Sequence, residues 1–308
     1  MRILIVGAGS TGGYFGGRLA EAGRDVTFLV RPARAEQLRR DGLQIVSPHG
    51  DAAIVPRLAT AGRIDGTFDM ILLTVKAYAL DRAMEDFAPA VGPQSMIVPV
   101  LNGMRHIDAL VGRFGDEAVL GGVCRVATML DDQGRIVQLA EMQDLAYGER
   151  SGAMSPRLAA LDAVMQGAGF KAWASPAILQ DMWEKWVFLA ALGAITCLMR
   201  GTVGQIEAAP GGADLARQAL QECAAVPAAS GYPPRDEFLA RTRTALTTPG
   251  SPLASSMYRD LQRGNEVEAD HIVGDLLARS RSFGLAAPIL AAAFVNLSVY
   301  RSGLQPPT

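Results

Sequence analysis

An apolar run near the start of the chain leads directly into a glycine-rich turn. Residues 3–6 read ILIV, residues 7–12 read GAGSTG, and apolar residues at helical spacing follow. This order predicts the strand, turn and helix of a dinucleotide-binding unit, the alternative being a glycine-rich turn in another kind of α/β protein. In such a unit the glycines permit the tight turn, the close approach of a pyrophosphate, and helix–strand packing. The amides of the first helical turn and the helix dipole attract phosphates. The predicted cofactor contacts in this turn are Gly7, Ala8, Gly9, Ser10, Thr11 and Gly12.

Composition limits the class of protein. A length of 308 residues favours two domains, and 49% hydrophobic with 19% charged residues indicates a globular protein with a sizeable core. The formal net charge of -2, without a run of Lys or Arg, argues against a nucleic-acid partner. The three cysteines lack C-x-x-C spacing and the three histidines are scattered, so neither a disulfide framework nor a metal site is expected. A reducing compartment is therefore predicted.

Two long uncharged segments have to be weighed as membrane spans. Residues 186–199 and 285–300 are both shorter than the ~18 residues that a span requires, and Arg200 and Arg301 end them. Both are predicted to be buried core helices. Because the chain enters its first strand at once, no signal peptide is expected. The sequence thus predicts a soluble, cytoplasmic protein without a membrane partner.

The residues after the second predicted strand bear on the cofactor. Residues 25–30 form that strand, and Arg31 and Arg34 follow it before any carboxylate. An NAD site places Asp or Glu here for the ribose 2′-hydroxyl, whereas an NADP site places a cation for the 2′-phosphate. Guanidinium groups give planar, charge-assisted bonds to phosphate, which favours NADP(H). The alternative is that both arginines are solvent-exposed residues at the start of a helix and bind no ligand.

Two further strands end in polar residues. Residues 70–75 form a continuous apolar strand that ends at Lys76, and residues 95–100 form another that is followed by Asn102. Ligands bind at the carboxyl ends of strands in open α/β sheets, so Lys76 could meet a phosphate or a ribose. Asn102 offers a donor and an acceptor for a carboxamide or a substrate oxygen. The alternatives are a solvated lysine and an ordinary Asn-Gly turn.

The pattern changes near residue 175. Alternating strands and helices, with closing strands at 118–123 and 143–148, give way to helices alone, so the domains are predicted as 1–175 and 176–308. Residues 178–199 form a long helix that is apolar all round after Lys185, as in a buried helix. A partly buried ammonium is a usable proton donor, although the spacing alone favours a snorkelling surface lysine. Further helices are predicted at 213–229, 235–246, 256–263, 267–282 and 289–299.

Polar residues lie between two of these helices. Ser255 and Ser256 lie at the start of one helix, and Glu268 falls near the start of the next. The serines could cap the helix or bind a carboxylate, and acidic residues suit a helix start without any chemistry.

Taken in order, these motifs resemble the ketopantoate reductase (2-dehydropantoate 2-reductase) family over nearly the whole chain. The motifs are GAGSTG from residue 7, VKA from 75, LNGM from 101, WEK from 183, SSM from 255 and E-x-D from 268. The resemblance implies an α/β fold, in which a Rossmann-type N-terminal domain with a mostly parallel sheet precedes an all-α domain. It also implies an active site in the cleft between the domains.

The resemblance implies a role for each matching residue. Arg31 would meet the 2′-phosphate of NADP(H), Lys76 and Ala127 would contact the cofactor, and Asn102 would contact both cofactor and substrate. Lys185 would be the general acid and Ser256 would hold the substrate carboxylate. Glu268 would bond the cofactor ribose or orient Lys185.

The chain departs from the family pattern at three positions. The family places Asn four and eight residues after its lysine and again in the following loop, where this chain has Leu189, Gly193 and Val203. A hydroxyl placed against Leu189 would lose hydrogen bonds, at ~1–3 kcal/mol per group. We therefore expect a 2-oxo acid with a more apolar tail than ketopantoate, or another carbonyl compound, with Arg200 as a replacement polar contact.

The sequence predicts an NADP-dependent oxidoreductase that reduces a 2-oxo acid to a 2-hydroxy acid. Its substrate would be 2-dehydropantoate, in pantothenate biosynthesis, or a more apolar relative. One alternative is an NAD-dependent 2-hydroxy-acid dehydrogenase on the same scaffold. The other is a non-catalytic, NADPH-sensing binding protein. The apolar helices are also compatible with a homodimer.

Overall fold

The computed structural model describes residues 1–304, which pack as two compact units. The first unit comprises Met1–Leu101 and His106–Ile178. The second comprises Asn102–Arg105 together with the described residues from Leu179 onward. The chain therefore enters the second unit briefly, returns to the first, and then completes the second.

Ten strands and five helices form the first unit. The strands are β1 (Arg2–Val6), β2 (Asp25–Leu29), β3 (Leu43–Val46), β4 (Ala52–Ile54), β5 (Arg57–Ala59), β6 (Phe68–Leu73), β7 (Val91–Pro99), β8 (Gly121–Leu130), β9 (Ile136–Gly148) and β10 (Lys171–Ala174). The helices are α1 (Ser10–Glu21), α2 (Pro32–Asp41), α3 (Leu80–Phe87), α4 (Arg105–Phe114) and α5 (Pro156–Met165).

The main sheet is parallel throughout, in the order β5-β2-β1-β6-β7. Its central strand β1 is buried on both faces, which explains its uninterrupted apolar run. Alternation of parallel strands with helices confirms the predicted Rossmann-type fold. Of the predicted strand at 118–123, residues 121–123 begin β8, whereas residues 118–120 contribute a single bridge between Val119 and Ile97. Strand β5 is not predicted from the sequence.

A second sheet has the order β10-β9-β3-β4, and β8 pairs with β9 as a long antiparallel hairpin. The sequence suggested only part of this hairpin. Helix α1 lies between the two sheets, and its glycines make both contacts possible. A Cβ at Gly16 would lie 2.6 Å from the Phe28 ring, and one at Gly13 would lie 2.4 Å from the Ile136 side chain. The sequence GGYFGG thus permits close packing on both faces of the helix.

The second unit is helical, and no strand follows Ala174 within residues 1–304. Its helices are α6 (Ile178–Met199), α7 (Val203–Glu207), α8 (Gly212–Ala229), α9 (Asp236–Leu246), α10 (Ser256–Gln262), α11 (Asp275–Ser282) and α12 (Pro288–Ser302). The prediction of a single helix at 267–282 was wrong in detail. The segment 267–282 is not one α-helix, because a π-helical turn at Asp270–Gly274 precedes α11.

Helix α6 is the most apolar element of this unit. By length and composition it could cross a membrane, but 72% of its most apolar window is buried inside the protein. The segment 186–199 therefore forms the predicted core helix. The first two turns of α6 carry polar residues, of which Glu184 is buried and the others are half-buried, whereas residues 190–197 are all buried.

The segment 285–300 was also predicted to be buried. This prediction is wrong, because α12 exposes Val295 and Val299 on one side.

Candidate active site

The glycine-rich turn of the first unit is held from both neighbouring strands. Gly7 has φ +98, and its N–H donates to the Leu29 carbonyl of β2 over 3.0 Å. The hydroxyl oxygen of Thr74, just past β6, lies 2.9 Å from the carbonyl oxygens of both Val6 and Gly7. These contacts fix the turn at the carboxyl end of β1, where open parallel sheets bind ligands.

Two glycines of the turn differ in what surrounds them. A Cβ at Gly12 would lie 2.1 Å from the Gly7 carbonyl oxygen and 2.2 Å from Thr74 Oγ1, so only glycine fits. A Cβ at Gly9 would meet no protein atom within 4 Å, and Gly9 is exposed. The backbone at Gly9 is therefore open to a ligand, which fits the pyrophosphate of a dinucleotide.

The other predicted cofactor residues of this unit lie beyond the ends of strands or where the pairing of two strands is irregular. Arg31 is exposed and immediately precedes α2, and Lys76 is exposed beyond the end of β6. Ala127 lies in β8 where the pairing with β9 is interrupted between Val126 and Thr128. β-Bulges often occur next to active sites. The Arg34 side chain donates to the backbone carbonyls of Ala8 and Gly134.

In the second unit, three predicted residues lie close in sequence to one π-helical turn or to residues that contact it. Gly103, with φ +81, packs so closely that a Cβ would lie 2.5 Å from the His271 carbonyl oxygen. The indole N–H of Trp186 donates to the Ile272 carbonyl over 2.8 Å. Asn102 and Lys185 are the chain neighbours of Gly103 and Trp186, and Glu268 lies two residues before the turn. π-Helical turns occur frequently at functional sites.

The three residues also differ in exposure. Asn102 and Lys185 are half-buried, whereas Glu268 is only 8% exposed. An amide, an ammonium and a carboxylate are thus attached to neighbouring backbone segments. Carbonyl reduction uses groups of these three types.

Glu184 anchors the start of α6 beside Lys185. Arg235 donates to its carboxylate through Nε at 2.8 Å and Nη2 at 2.5 Å, and through its backbone N–H at 2.9 Å. Burial alone would raise the pKa of Glu184, but the hydrogen bonds from Arg235 and Gln180 outweigh it and lower the pKa. Glu184 therefore stays ionised and fixes α6 to the segment before α9.

Ser256 is exposed at the start of α10, between two residues that attach α10 to α6. The hydroxyls of Ser255 and Thr196 lie 2.9 Å apart, and Ser255 also caps α10 by accepting from Tyr258 N–H. On the other side, a Cβ at Gly193 would lie 2.7 Å from the terminal methyl of Met257. Ser255, not Ser256, is the capping serine, which leaves the Ser256 hydroxyl at the surface.

Several residues of this arrangement were not identified from the sequence. The sequence predicts Thr74 only as part of a strand, and it predicts no separate role for Trp186 or Met257. A hydroxyl directly after a central strand was the one available signal for Thr74. Nothing local to Trp186 or Met257 indicates their partners, which lie 86 and 64 residues away along the chain.

The strand, glycine-rich turn and helix at the carboxyl edge of a parallel sheet define a dinucleotide-binding protein. Models of a known family match both parts of the chain. The ketopantoate reductase PanE/ApbA model matches residues 3–152, and the model of its C-terminal part matches residues 177–300. The chain therefore belongs to the ketopantoate reductase family of oxidoreductases.

Individual relatives are similar over almost their full length. An uncharacterized oxidoreductase, YkpB, of Bacillus subtilis is 37% identical over 302 residues, covering 98% of this chain and 99% of that protein. The crystal structure of a 2-dehydropantoate 2-reductase from Geobacter metallireducens has a TM-score of 0.87 and 27% identity, covering 97% and 99% of the two chains. A D-mandelate dehydrogenase solved with NADH and anilino(oxo)acetate shares the fold, with a TM-score of 0.87, 20% identity and 99% coverage of both chains.

Proposed function

We propose that this protein is an NADPH-dependent reductase of 2-oxo acids. The observation that carries the proposal is the π-helical turn, against which the neighbours of Asn102 and Lys185 pack and which Glu268 precedes. A general acid, an amide and a carboxylate attached to one backbone feature suit carbonyl reduction. Membership of an oxidoreductase family supports the same reaction class.

The glycine-rich turn and Arg31 would hold the cofactor. The open backbone at Gly9 suits the pyrophosphate, and the exposed guanidinium of Arg31 suits a 2′-phosphate. Lys76 and Ala127 would complete the contacts in the first unit. The preference for NADP(H) rests on Arg31, because no carboxylate stands between the end of β2 and Glu36.

When bound, the reduced nicotinamide supplies a hydride to the keto carbon of the substrate. The ammonium of Lys185 stabilises the negative charge that develops on the carbonyl oxygen and donates a proton from Nζ to it. Asn102 would orient the reacting groups and Ser256 would donate to the substrate carboxylate. Glu268 would orient the Lys185 ammonium or accept from the cofactor ribose.

The proposed substrate is 2-dehydropantoate or a 2-oxo acid with a more apolar tail. Lys185, Leu189 and Gly193 recur at four-residue spacing, which places them along one side of α6. Leu189 is half-buried, and the space beside Gly193 is filled by the Met257 methyl group. This side of the helix offers a tail apolar contacts rather than hydrogen-bond partners, which favours the apolar substrate.

A second candidate is an NAD-dependent 2-hydroxy-acid dehydrogenase. It is supported by the D-mandelate dehydrogenase solved with NADH, because that protein has the same fold and is a dehydrogenase of an aromatic hydroxy acid. Arg31 counts against it, because a cation at that position favours the 2′-phosphate. A non-catalytic cofactor-binding protein has no observation in its favour.

A screen of NADPH and NADH oxidation over a panel of 2-oxo acids tests these proposals. We expect turnover with NADPH, with branched or aromatic 2-oxo acids at least equal to ketopantoate in kcat/KM. A hundredfold preference for ketopantoate would contradict the proposal that the substrate has a more apolar tail. A preference for NADH would favour the dehydrogenase, and absence of turnover across the panel would contradict the enzymatic proposal.

A further inference from the structure

Arg34 joins the glycine-rich turn to the tip of the β8–β9 hairpin. Its Nε–H donates to the Ala8 carbonyl over 3.2 Å, and Nη1 donates to the Gly134 carbonyl over 3.1 Å. Nη1 also donates to the side-chain oxygen of Gln37 over 2.6 Å. Nε and Nη1 of the guanidinium therefore donate to protein acceptors, whereas Arg31 is exposed.

The contact with Ala8 determines the direction of the next N–H. The carbonyl of Ala8 and the N–H of Gly9 belong to one planar trans peptide, so they point in opposite directions. With the carbonyl held toward Arg34, the Gly9 N–H points away from α2. Gly9 is the residue at which the turn is open to a ligand. Arg34 thus fixes the orientation of an N–H that a bound pyrophosphate would accept from.

The hairpin tip that holds Arg34 is itself well ordered by hydrogen bonds. Asp131 accepts from the backbone N–H of Gln133 and Arg135, at 3.0 and 2.9 Å, and from Arg135 Nε at 2.7 Å. The Arg135 side chain lowers the pKa of Asp131. The tip also accepts from Gln37, whose Nε2 donates to the Gln133 carbonyl over 3.1 Å. It therefore presents two fixed carbonyls, those of Gln133 and Gly134, to α2.

One nitrogen of Arg34 is left over. Nη2 is buried and has no hydrogen-bond partner within the described part of the chain. Burial also lowers the pKa of the guanidinium. A buried donor without a partner disfavours folding, so Nη2 adds nothing to stability and the contacts of Nε and Nη1 define what Arg34 does here.

We infer that Arg34 is a positioning residue for the pyrophosphate-binding turn, and that the β8–β9 hairpin tip holds it in place. The inference rests on the proposed nicotinamide dinucleotide. It assigns the two arginines different tasks, with Arg31 selecting the 2′-phosphate and Arg34 orienting the Ala8–Gly9 peptide. It also gives the hairpin, which was only partly foreseen from the sequence, a function in cofactor binding.

Two nucleotide fragments separate these tasks without any turnover. ADP carries a 5′-pyrophosphate and no 2′-phosphate, whereas 2′-AMP carries only the 2′-phosphate. Their dissociation constants would be measured by calorimetry for the full-length protein and for Arg34→Met, Arg31→Met and Arg39→Met. Arg39 is exposed on the same helix and serves as the matched control.

We expect Arg34→Met to weaken ADP binding at least fivefold and to change 2′-AMP binding less than twofold. Arg31→Met should show the reverse, and Arg39→Met should change neither. Unchanged ADP binding in Arg34→Met would overturn the inference. Equal weakening of both fragments would overturn it too, because it would indicate general distortion or direct contact with the 2′-phosphate.

A second variant tests the hairpin and serves if Arg34→Met does not fold. Asp131→Ala keeps Arg34 but removes the hydrogen bonds that order the tip. It should weaken ADP binding at least twofold and leave 2′-AMP binding unaffected. An unchanged dissociation constant for ADP would overturn the proposal that the hairpin tip holds Arg34 in place. Failure of the unmodified protein to bind 2′-AMP would contradict the proposed NADP(H) preference alone, since the ADP comparison does not depend on it.

Discussion

The indole N–H of Trp186 and the carbonyl of Ile272 form a 2.8 Å hydrogen bond that attaches α6 to the π-helical turn. The guanidinium of Arg279 on α11 lies over the same indole, 5.6 Å from its ring centre. The helix that carries Lys185 and the segment that follows Glu268 are thereby fixed to each other. Gly103 packs against the same turn through the His271 carbonyl.

Gly103→Ala should disturb this turn. The new Cβ would lie 2.5 Å from the His271 carbonyl oxygen, and φ +81 is unfavourable for alanine. We expect a loss of stability of about 2–4 kcal/mol and a fall in kcat, because Asn102 is displaced with the loop. Gly115→Ala is the matched control, since Gly115 has φ +87 with no atom within 4 Å of its Cβ position. It should cost only about 1 kcal/mol. Chemical denaturation measures both losses of stability. Equal losses in Gly103→Ala and Gly115→Ala would show that the close approach of Gly103 to His271 is unimportant.

Gly9→Ala and Gly12→Ala should fail in different ways. A Cβ at Gly9 meets no protein atom, so the melting temperature should stay within a degree or two while NADPH affinity falls about tenfold or more. A Cβ at Gly12 meets the Gly7 carbonyl and Thr74, so the protein itself should lose stability. Thermal melts and fluorescence titration with NADPH measure the two effects. Full NADPH affinity in Gly9→Ala would exclude a ligand from this part of the turn.

Lys185→Met should remove the proposed proton donor. We expect kcat to fall by about 10²-fold or more, because general acids contribute factors of this size. NADPH affinity should change less than twofold. Lys171→Met provides the control, since Lys171 is exposed on β10. Steady-state kinetics with the best substrate of the screen measure kcat for both variants. An unchanged kcat in Lys185→Met would exclude Lys185 from the reaction.

Arg235→Met should destabilise the protein in a pH-dependent way. The hydrogen bonds of Arg235 lower the pKa of the buried Glu184 against the opposing effect of burial. A carboxyl group whose pKa is lowered in the folded protein contributes stability above its unfolded pKa of about 4.3. That contribution is lost as the pH falls through the folded pKa. We expect a loss of about 2 kcal/mol at pH 7, discounted for the exposure of Arg235, that shrinks below pH 4.

Urea unfolding from pH 7 to pH 3 measures this difference. Arg217→Met is the control, because its carboxylate partner Asp214 is 71% exposed and the pair should contribute little. A loss of stability in Arg235→Met that is constant across this range would contradict the role of the Glu184 carboxylate.

The first domain could be predicted closely because its signals are local. Short buried strands with apolar runs, such as β1 and β6, are recognisable one at a time, and the glycines at 7 and 12 have steric reasons within the turn itself. The β8–β9 hairpin was harder. Its strands are half-exposed and irregular, so they carry neither an apolar run nor a clean alternation.

The candidate site could be predicted only as a set of isolated residues. Asn102, Lys185 and Glu268 were singled out by motif resemblance, and their roles remain predictions. What brings their segments together is long-range packing between Gly103, Trp186 and residues 271–272. A π-helical turn replaces the expected helix start at this place, and helical periodicity does not distinguish the two. The Arg34 contacts likewise depend on a hairpin 100 residues away.

The brief passage of the chain through the second unit at Asn102–Arg105 limits how relatives of this protein can be recombined. A hybrid joined at residue 178 would take Lys185 and Glu268 from one parent but would keep the loop containing Gly103 from the other. That loop would then face a foreign π-helical turn, so functional chimaeras require the four-residue insert to be exchanged along with the helices.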